Sequence, residues 1–305
     1  VNPDGRLWVE RHGSGRTESG SMSSADSERV IRLVASHAGR RADVGSPIVS
    51  AELPMGGERF EGVLPPVSPG PCFSIRKPAG RVIALDTYVA SGVMAAHHAE
   101  ALRRAVLDRE NILVVGGTGS GKTTLANALL AEIARTGDRL VILEDTRELV
   151  SAARDAVQLR TQPGAVTLAD LVRSTLRLRP DRIIIGEVRG AEALDMLKAW
   201  NTGHPGGIAT LHANSALSGL SRLEQLIGEA SAQVPHDLIA ETIDCVVYIT
   251  RRAGLHRVET VARMNGLGRE GYDLVPVQPD LQLVLPSLPF SEPLLSTAPE
   301  RTHPK

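Results

Sequence analysis

The sequence predicts an α/β protein in which a small N-terminal α+β domain precedes a larger domain built on a parallel-rich sheet. Two observations lead to this prediction. Short strand patterns and one helix pattern fill residues 1–77, and from residue 93 onward apolar strands alternate with amphipathic helices. Alternating βα units are typical of a largely parallel sheet covered on both faces. We therefore expect domains over 1–77 and 93–276, a linker over 78–92 and a disordered tail over 277–305.

In the N-terminal part, the turn Asn2–Gly5 precedes an alternating polar and apolar strand over 6–10, and the Gly/Ser-rich stretch 11–24 is expected to be a loop. Ser24 is a candidate cap for a helix whose apolar residues Val30, Ile31, Val34 and Ala35 share one face. Further strands are expected over 48–53, 59–64 and 72–76.

In the C-terminal part, a helix over 94–108 leads to a buried strand over 111–115, a glycine-rich loop and an amphipathic helix that ends near Gly137. Thr167 and Asp170 have the spacing of a capping box, and Pro180 is expected to end the helix they begin. The other helices are expected over 191–200 and around the leucines 217–226. The other strands are expected over 140–143, 156–160, 182–186, 207–211, 246–250 and 256–262.

Composition excludes several classes of protein. A net charge of −1 with three Phe, three Tyr and two Trp lacks the basic stripe and interleaved aromatics of a nucleic-acid binder, so no direct nucleic-acid binding is expected. Two distant cysteines without a CxxC pair do not form a zinc site, and they favour a reducing compartment. No apolar run reaches the roughly 18 residues of a membrane span. We expect a cytoplasmic protein. The first residue is Val, which leaves open an alternative start codon or a missing N-terminus.

The glycine-rich loop over 116–124 matches the pattern G-x-x-x-x-G-K-[ST], with an apolar strand before it and a helix after it. Its backbone amides and the helix N-terminus are suited to phosphate oxygens. Lys122 is expected to reach the β- and γ-phosphates of ATP, and the Thr123 hydroxyl to bind Mg²⁺. The predicted nucleotide-binding residues of the loop are Gly117, Thr118, Gly119, Ser120, Gly121, Lys122, Thr123 and Thr124. The alternative is a chance glycine-rich turn, which this strand and helix context disfavours.

Three further side chains follow apolar strands, so we expect them at the carboxyl edge of the sheet, where ligands bind. Glu187 follows Gly186, which stands where a metal-shell Asp is usual, and Glu187 is a candidate for the magnesium shell or for polarising water. Glu144 is a candidate general base, or a replacement for the missing Asp. His212 is a candidate sensor of the γ-phosphate. Each residue also has an alternative without a catalytic role. Glu187 is then an acidic residue at a helix start, Glu144 a solvated residue at a strand end and His212 a structural histidine.

The order of these motifs resembles that of the secretion and traffic ATPases of the type II/type IV secretion superfamily. The segments 116–124, 143–146, 186–189 and 210–214 have the order of the Walker A motif, the Asp box, an atypical Walker B motif and the His box. The segments 2–8, 58–62 and 74–78 resemble the conjugative-transfer branch. The tetracysteine zinc module of some type II members is absent from the sequence, which favours the conjugative or pilus-retraction branches.

The resemblance implies a RecA-like P-loop domain with an N-terminal domain packed over it and ATP between the two. It also implies a homohexameric ring on the cytoplasmic face of the inner membrane. In such a ring Arg59 and Arg76 approach the nucleotide. Glu144 is then the catalytic acid, Glu187 the Walker B acid that reaches Mg²⁺ through water, and His212 the phosphate sensor.

The function this predicts is an ATP-hydrolysing motor that energises conjugative transfer or type IV secretion, together with other components of that apparatus. Pilus retraction and type II secretion remain alternatives within the superfamily. An alternative of another class is a nucleotide-gated scaffold with little turnover. A small-molecule kinase is disfavoured because no lid-like insertion follows the glycine-rich loop.

Overall fold

The computed structural model describes residues 1–11, 15–77 and 82–279, and these form thirteen strands and eight helices. The strands are β1 Arg6–Arg11, β2 Gly15–Ser21, β3 Ile48–Glu52, β4 Arg59–Val63, β5 Cys72–Arg76, β6 Ile112–Gly116, β7 Leu140–Glu144, β8 Ala156–Arg160, β9 Arg182–Ile185, β10 Ile208–His212, β11 Cys245–Arg252, β12 Leu255–Gly268 and β13 Gly271–Pro276. The helices are α1 Ser24–His37, α2 Leu85–Ala90, α3 Ala96–Leu107, α4 Lys122–Ile133, α5 Leu168–Thr175, α6 Glu192–Asn201, α7 Ala216–Gly228 and α8 His236–Thr242.

The N-terminal region, residues 1–77, contains a β1–β2 hairpin and an antiparallel sheet β3-β4-β5 with α1 packed on it. Ile31 of α1, Val49 of β3 and Phe60 of β4 are fully buried in its small core. The expected loop over 11–24 is wrong for β2, which pairs antiparallel with β1 although all its side chains are exposed. The α1 cap is Ser23 rather than Ser24, since the Ser23 side chain accepts the Asp26 amide proton.

The α/β region contains an eight-stranded sheet in the order β13-β12-β11-β6-β10-β9-β7-β8. The six strands from β11 to β8 run parallel to one another, and β12 and β13 add an antiparallel edge. Alternate side chains enter different cores, so that Val114 of β6 belongs to the core that includes α2, α3 and α4, while Val115 belongs to the core that includes α6 and α7. Burial on both faces explains why these strands read as continuous apolar runs.

Helix boundaries agree with the local signals in most places. Thr167 and Asp170 form the predicted capping box of α5, but that helix ends at Thr175, upstream of Pro180. Helix α2 lies within the predicted linker 78–92, where Leu85 and Tyr88 are buried against the α/β core. Helix α8 and strand β13 were not predicted. The predicted tail lies outside the described residues from position 280 onward, and the prediction for residues 78–81 does so as well.

No helix in the described part of the chain is both long and apolar enough to cross a membrane.

Candidate nucleotide-binding site

The glycine-rich loop connects β6 to α4 at the carboxyl edge of the parallel sheet. Gly121 is the N-cap of α4 and has φ of 99°, a left-handed conformation that a side chain disfavours. The chain can therefore turn sharply and begin a helix whose free amides face the loop. This is the local geometry that binds phosphate at helix N-termini.

Lys122 is buried at the start of α4, and its ammonium is held by the loop itself. Nζ donates to Gly116 O at 3.0 Å and to Gly117 O at 3.1 Å, and it lies 3.2 Å from His212 Nδ1. Burial lowers the pKa of Lys122 below its ordinary value. Among the described residues no carboxylate lies within 4.0 Å of this ammonium, so the positive charge is left for an anion in the adjoining cavity.

His212 at the end of β10 connects Lys122 to Glu187, which follows β9. A lysine only donates, so His212 Nδ1 accepts and the proton of a neutral ring is on Nε2, which lies 2.5 Å from Glu187 Oε1. Burial, and then the Lys122 ammonium, lowers the pKa of His212 below its ordinary value, in agreement with a neutral ring. Glu187 Oε2 accepts from Arg189 Nε at 2.6 Å. The histidine is thus placed between the phosphate-binding cation and an acidic residue.

Glu144 at the end of β7 is buried, so the alternative of a solvated strand end is wrong. Its Oε1 accepts amide protons from Glu148 at 2.9 Å and Leu149 at 2.8 Å. Burial raises the pKa of Glu144, although the two amides oppose this effect. A Cβ added to Gly186 would lie only 2.9 Å from Glu144 Cγ. The glycine that replaces the usual Asp therefore leaves room for the Glu144 side chain.

Arg59 on β4 and Arg76 on β5 lie directly opposite each other and reach the loop from the N-terminal region. Arg59 Nη1 lies 3.7 Å from Glu148 Oε1, and Arg76 Nη2 lies 3.9 Å from Glu148 Oε2. The Thr123 hydroxyl donates to Glu148 Oε2 at 3.3 Å. Sequence reasoning missed Glu148. The available signal was an acidic residue in the segment that follows β7.

The ends of β11 and β12 next to their connecting turn also reach the glycine-rich loop. His256 Nδ1 lies 2.8 Å from Ser120 O, and Arg251 lines the same cavity. Neither residue was predicted, because β11 and β12 lie far from the loop in sequence.

The cavity has a volume of about 470 Å³ and brings together the predicted site residues. Its lining includes Thr118, Gly119, Ser120, Gly121, Lys122, Thr123, Thr124, Glu144, Glu187, His212, Arg59 and Arg76. Gly117 contributes its carbonyl to Lys122 rather than lining the cavity.

The oxygen donors at this site fit magnesium. Thr123 lines the cavity with its Oγ1. Glu187 Oε1 is buried, and no described residue has a donor aligned to form a hydrogen bond with it. No group of three or more His, Cys, Asp or Glu side chains that could hold a metal occurs in the described ranges. Mg²⁺ usually takes one or two protein oxygens and completes its shell with phosphates and water, which suits this donor set.

A glycine-rich loop, a buried lysine and polar side chains at the edge of a parallel sheet define a P-loop nucleotide-binding protein. Residues 29–271 match the family model described as Type II/IV secretion system protein, and the chain belongs to this family. The chain is 54% identical over 274 residues to the conjugal transfer protein TrbB of Rhizobium radiobacter, covering 89% of this chain and 84% of that protein. It is 38% identical over 290 residues to the type IV secretion system protein PtlH of Bordetella pertussis, covering 83% and 85%.

Solved structures agree with this assignment. The VirB11 ATPase from the Brucella suis type IV secretion system, solved in complex with sulphate, is 30% identical with a TM-score of 0.51, covering 86% of this chain and 88% of that chain. The pilus retraction motor PilT with bound ADP has a TM-score of 0.63 at 20% identity, covering 92% and 79%, and supports the fold alone. The predicted superfamily and the predicted class, a RecA-like domain after a small N-terminal domain, are confirmed.

Proposed function

We propose that this protein is an ATP-hydrolysing motor that energises conjugative transfer or type IV secretion. The observation that carries the proposal is the buried Lys122 ammonium, which faces a cavity of about 470 Å³ without a carboxylate partner among the described residues. Glu187 and Glu148 act on this ammonium electrostatically without an ion pair, and a buried cation is costly unless an anion in contact completes the site. The relatives named for conjugal transfer and type IV secretion support the biological context.

In this proposal the loop amides of 117–124 and Lys122 bind the triphosphate, and Thr123 and, through water, Glu187 hold magnesium. The metal, when bound, neutralises charge on the phosphate oxygens. Glu144 accepts a proton from the attacking water, a role that fits a carboxyl whose pKa is raised by burial. His212 senses the γ-phosphate because one ring nitrogen contacts Lys122 and the other lies at Glu187.

The proposal extends to the assembly. Residues 1–77 form an N-terminal domain and 93–276 an ATPase domain, and Arg59 and Arg76 carry the contact of the first domain to the nucleotide. The protein forms a homohexamer peripheral to the cytoplasmic face of the inner membrane, acts with other components of a conjugation or secretion apparatus, and does not bind nucleic acid directly. Electron imaging with a non-hydrolysable ATP analogue tests the ring, and persistent monomers would contradict it.

Phosphate release by the purified protein with magnesium and ATP tests the activity. Lys122→Ala should lower turnover by about 100-fold or more, because it removes a charge that stabilises the transferring phosphoryl group. Lys198→Ala, which removes an exposed lysine of α6, is the matched control and should retain wild-type turnover. Full activity of Lys122→Ala would refute the proposal.

The scaffold alternative makes a different prediction in the same assay. A nucleotide-gated scaffold would bind ATP with little phosphate release in the wild type, and Glu187→Gln would not change that rate. A motor requires measurable wild-type turnover that falls in Glu187→Gln. The close approach of Glu144 to Gly186 favours the motor, because a carboxylate occupies the place of the missing Asp.

A further inference from the structure

The side chain of Glu148 is the meeting point of the N-terminal region and the glycine-rich loop. Its two oxygens face Arg59 and Arg76 at 3.7 and 3.9 Å, and one of them accepts from Thr123. Within the described ranges, no other carboxylate lies within 4.0 Å of either arginine. Like charges that lie directly opposite on neighbouring strands repel each other, so Glu148 compensates this pair.

The backbone of Glu148 belongs firmly to the α/β region. Its amide donates to Glu144 Oε1 at 2.9 Å, and its carbonyl accepts from the buried Asn127 of α4 at 3.3 Å. The arginines lie on β4 and β5, whereas the carboxylate is attached to the segment that β7 and α4 hold. The contact therefore joins the N-terminal region to the α/β region.

The contact is also weak enough to exchange. Both ion pairs are long, and the side chains of Arg59 and Arg76 are 39% and 61% exposed. Exposed ion pairs of this kind contribute little to stability, because solvent screens them. A phosphate group accepts two parallel hydrogen bonds from a guanidinium and competes well against such a contact.

We infer that Glu148 is a positioning residue that holds Arg59 and Arg76 away from the phosphates until a nucleotide enters the cavity. The inference rests on the proposed function, because it requires the cavity to bind a nucleotide. Nucleotide phosphates then take the arginines from Glu148. The N-terminal region then loses its contact with the Glu148 carboxylate and gains one with the phosphates. In this way nucleotide binding changes the contacts of β4 and β5.

The direction in which the affinity for ADP changes distinguishes this positioning role from a structural role or a magnesium-binding role. Glu148→Gln keeps the shape and the backbone contacts of the residue. In this variant no carboxylate at position 148 holds the two arginines before the nucleotide binds. The full chain should then bind ADP without magnesium, in the presence of a chelator, about 3- to 10-fold more tightly by calorimetry. A residue that only supports the fold, or that only helps to bind magnesium, would leave this affinity unchanged or lower it. Either of these results overturns the inference.

A double-mutant cycle and a matched control complete the test. When Arg59 and Arg76 are both changed to Gln, Glu148→Gln should no longer change the ADP affinity. Glu52→Gln removes a carboxylate that also contacts the α/β region, through Arg160 and the Arg147 amide. Glu52 pairs with Arg59 across β3 and β4, but among the described residues its carboxylate does not lie within 4.0 Å of either arginine side chain. It should bind ADP like the wild type. Tighter binding by Glu52→Gln would mean that general loosening, rather than Glu148, controls the arginines.

Two further results make the outcome unambiguous. Glu148→Ala, which also removes the carboxylate, should tighten ADP binding, and thermal unfolding by circular dichroism shows that each variant is folded. A wild-type protein that binds no ATP with magnesium would overturn both the proposed function and this inference. A wild type that binds ATP while the Glu148 variants bind ADP no more tightly would overturn this inference alone.

Discussion

Gly186 offers a direct test of how the structure replaces the usual Walker B carboxylate. A Cβ at this position would lie 2.9 Å from Glu144 Cγ and 3.3 Å from Glu144 Oε1. Glu144 has little freedom to move, because two backbone amides hold its Oε1. Overpacking of this kind costs about 1–3 kcal/mol. Replacing Gly by Ala stiffens the unfolded chain and offsets about 0.4–1 kcal/mol of that cost. We expect Gly186→Ala to lose about 0.5–2 kcal/mol of unfolding free energy.

Urea denaturation measures this loss, and phosphate release should fall with it because the proposed base is displaced. Gly228→Ala is the matched control, since its nearest neighbour would be Val234 Cγ2 at 3.8 Å. Gly186→Asp restores the usual sequence and should be less stable than Gly186→Ala at neutral pH, because it places two carboxylates together. In a Glu144→Ala background the cost of Gly186→Ala should nearly vanish. A Gly186→Ala protein with wild-type stability and activity would refute the steric argument.

Two predictions concern stability away from the site. Asp138 accepts from the buried Arg182 Nε at 2.6 Å, and Asp138→Asn should cost about 3–5 kcal/mol in urea denaturation because a buried charge loses its partner. Burial opposes ionisation of Asp138, but hydrogen bonds from Arg182 and Thr136 lower its pKa below the ordinary value of 3.8. The contribution of Asp138 to the free energy of unfolding is therefore present above the pKa of the unfolded state and is lost as the pH falls through the pKa of the folded state. Asp138→Asn should lack this acid-dependent component, and an unchanged pH profile would contradict the assignment. Thr167→Ala removes the capping box of α5 and should lower the free energy of unfolding by about 1 kcal/mol, whereas Thr87→Ala, at an exposed position of α2, serves as a control.

Much of the α/β region was predictable because its signals are local. The run Ile112–Gly116 is apolar throughout, and the glycine-rich loop and helix follow it directly. The small N-terminal strands β3, β4 and β5 were also predicted to within about one residue at each end, where hydrophobic alternation and turn residues agree. A site that is formed by one contiguous segment can be predicted from the sequence without knowledge of the fold.

The errors lie where pairing or packing with another element, rather than local propensity, decides the conformation. Strand β2 has no buried side chain and forms because its backbone pairs with β1. Strand β13 likewise forms by pairing with β12 at the edge of the large sheet. Helix α2 was read as a linker, and its burial depends on α3 and the sheet. Local propensity does not contain these contacts.

The sequence by itself determined the phosphate-binding loop, the alternation of strands and helices, and the acidic and histidine residues at strand ends. These depend on patterns within a few residues. Only the tertiary structure decided that Glu144 fills the space above Gly186, that His212 lies between Lys122 and Glu187, and that Glu148 meets two arginines from another region. The physical reason is that these contacts join different strands and different regions, so they exist only after the sheet has set the order and register of its strands.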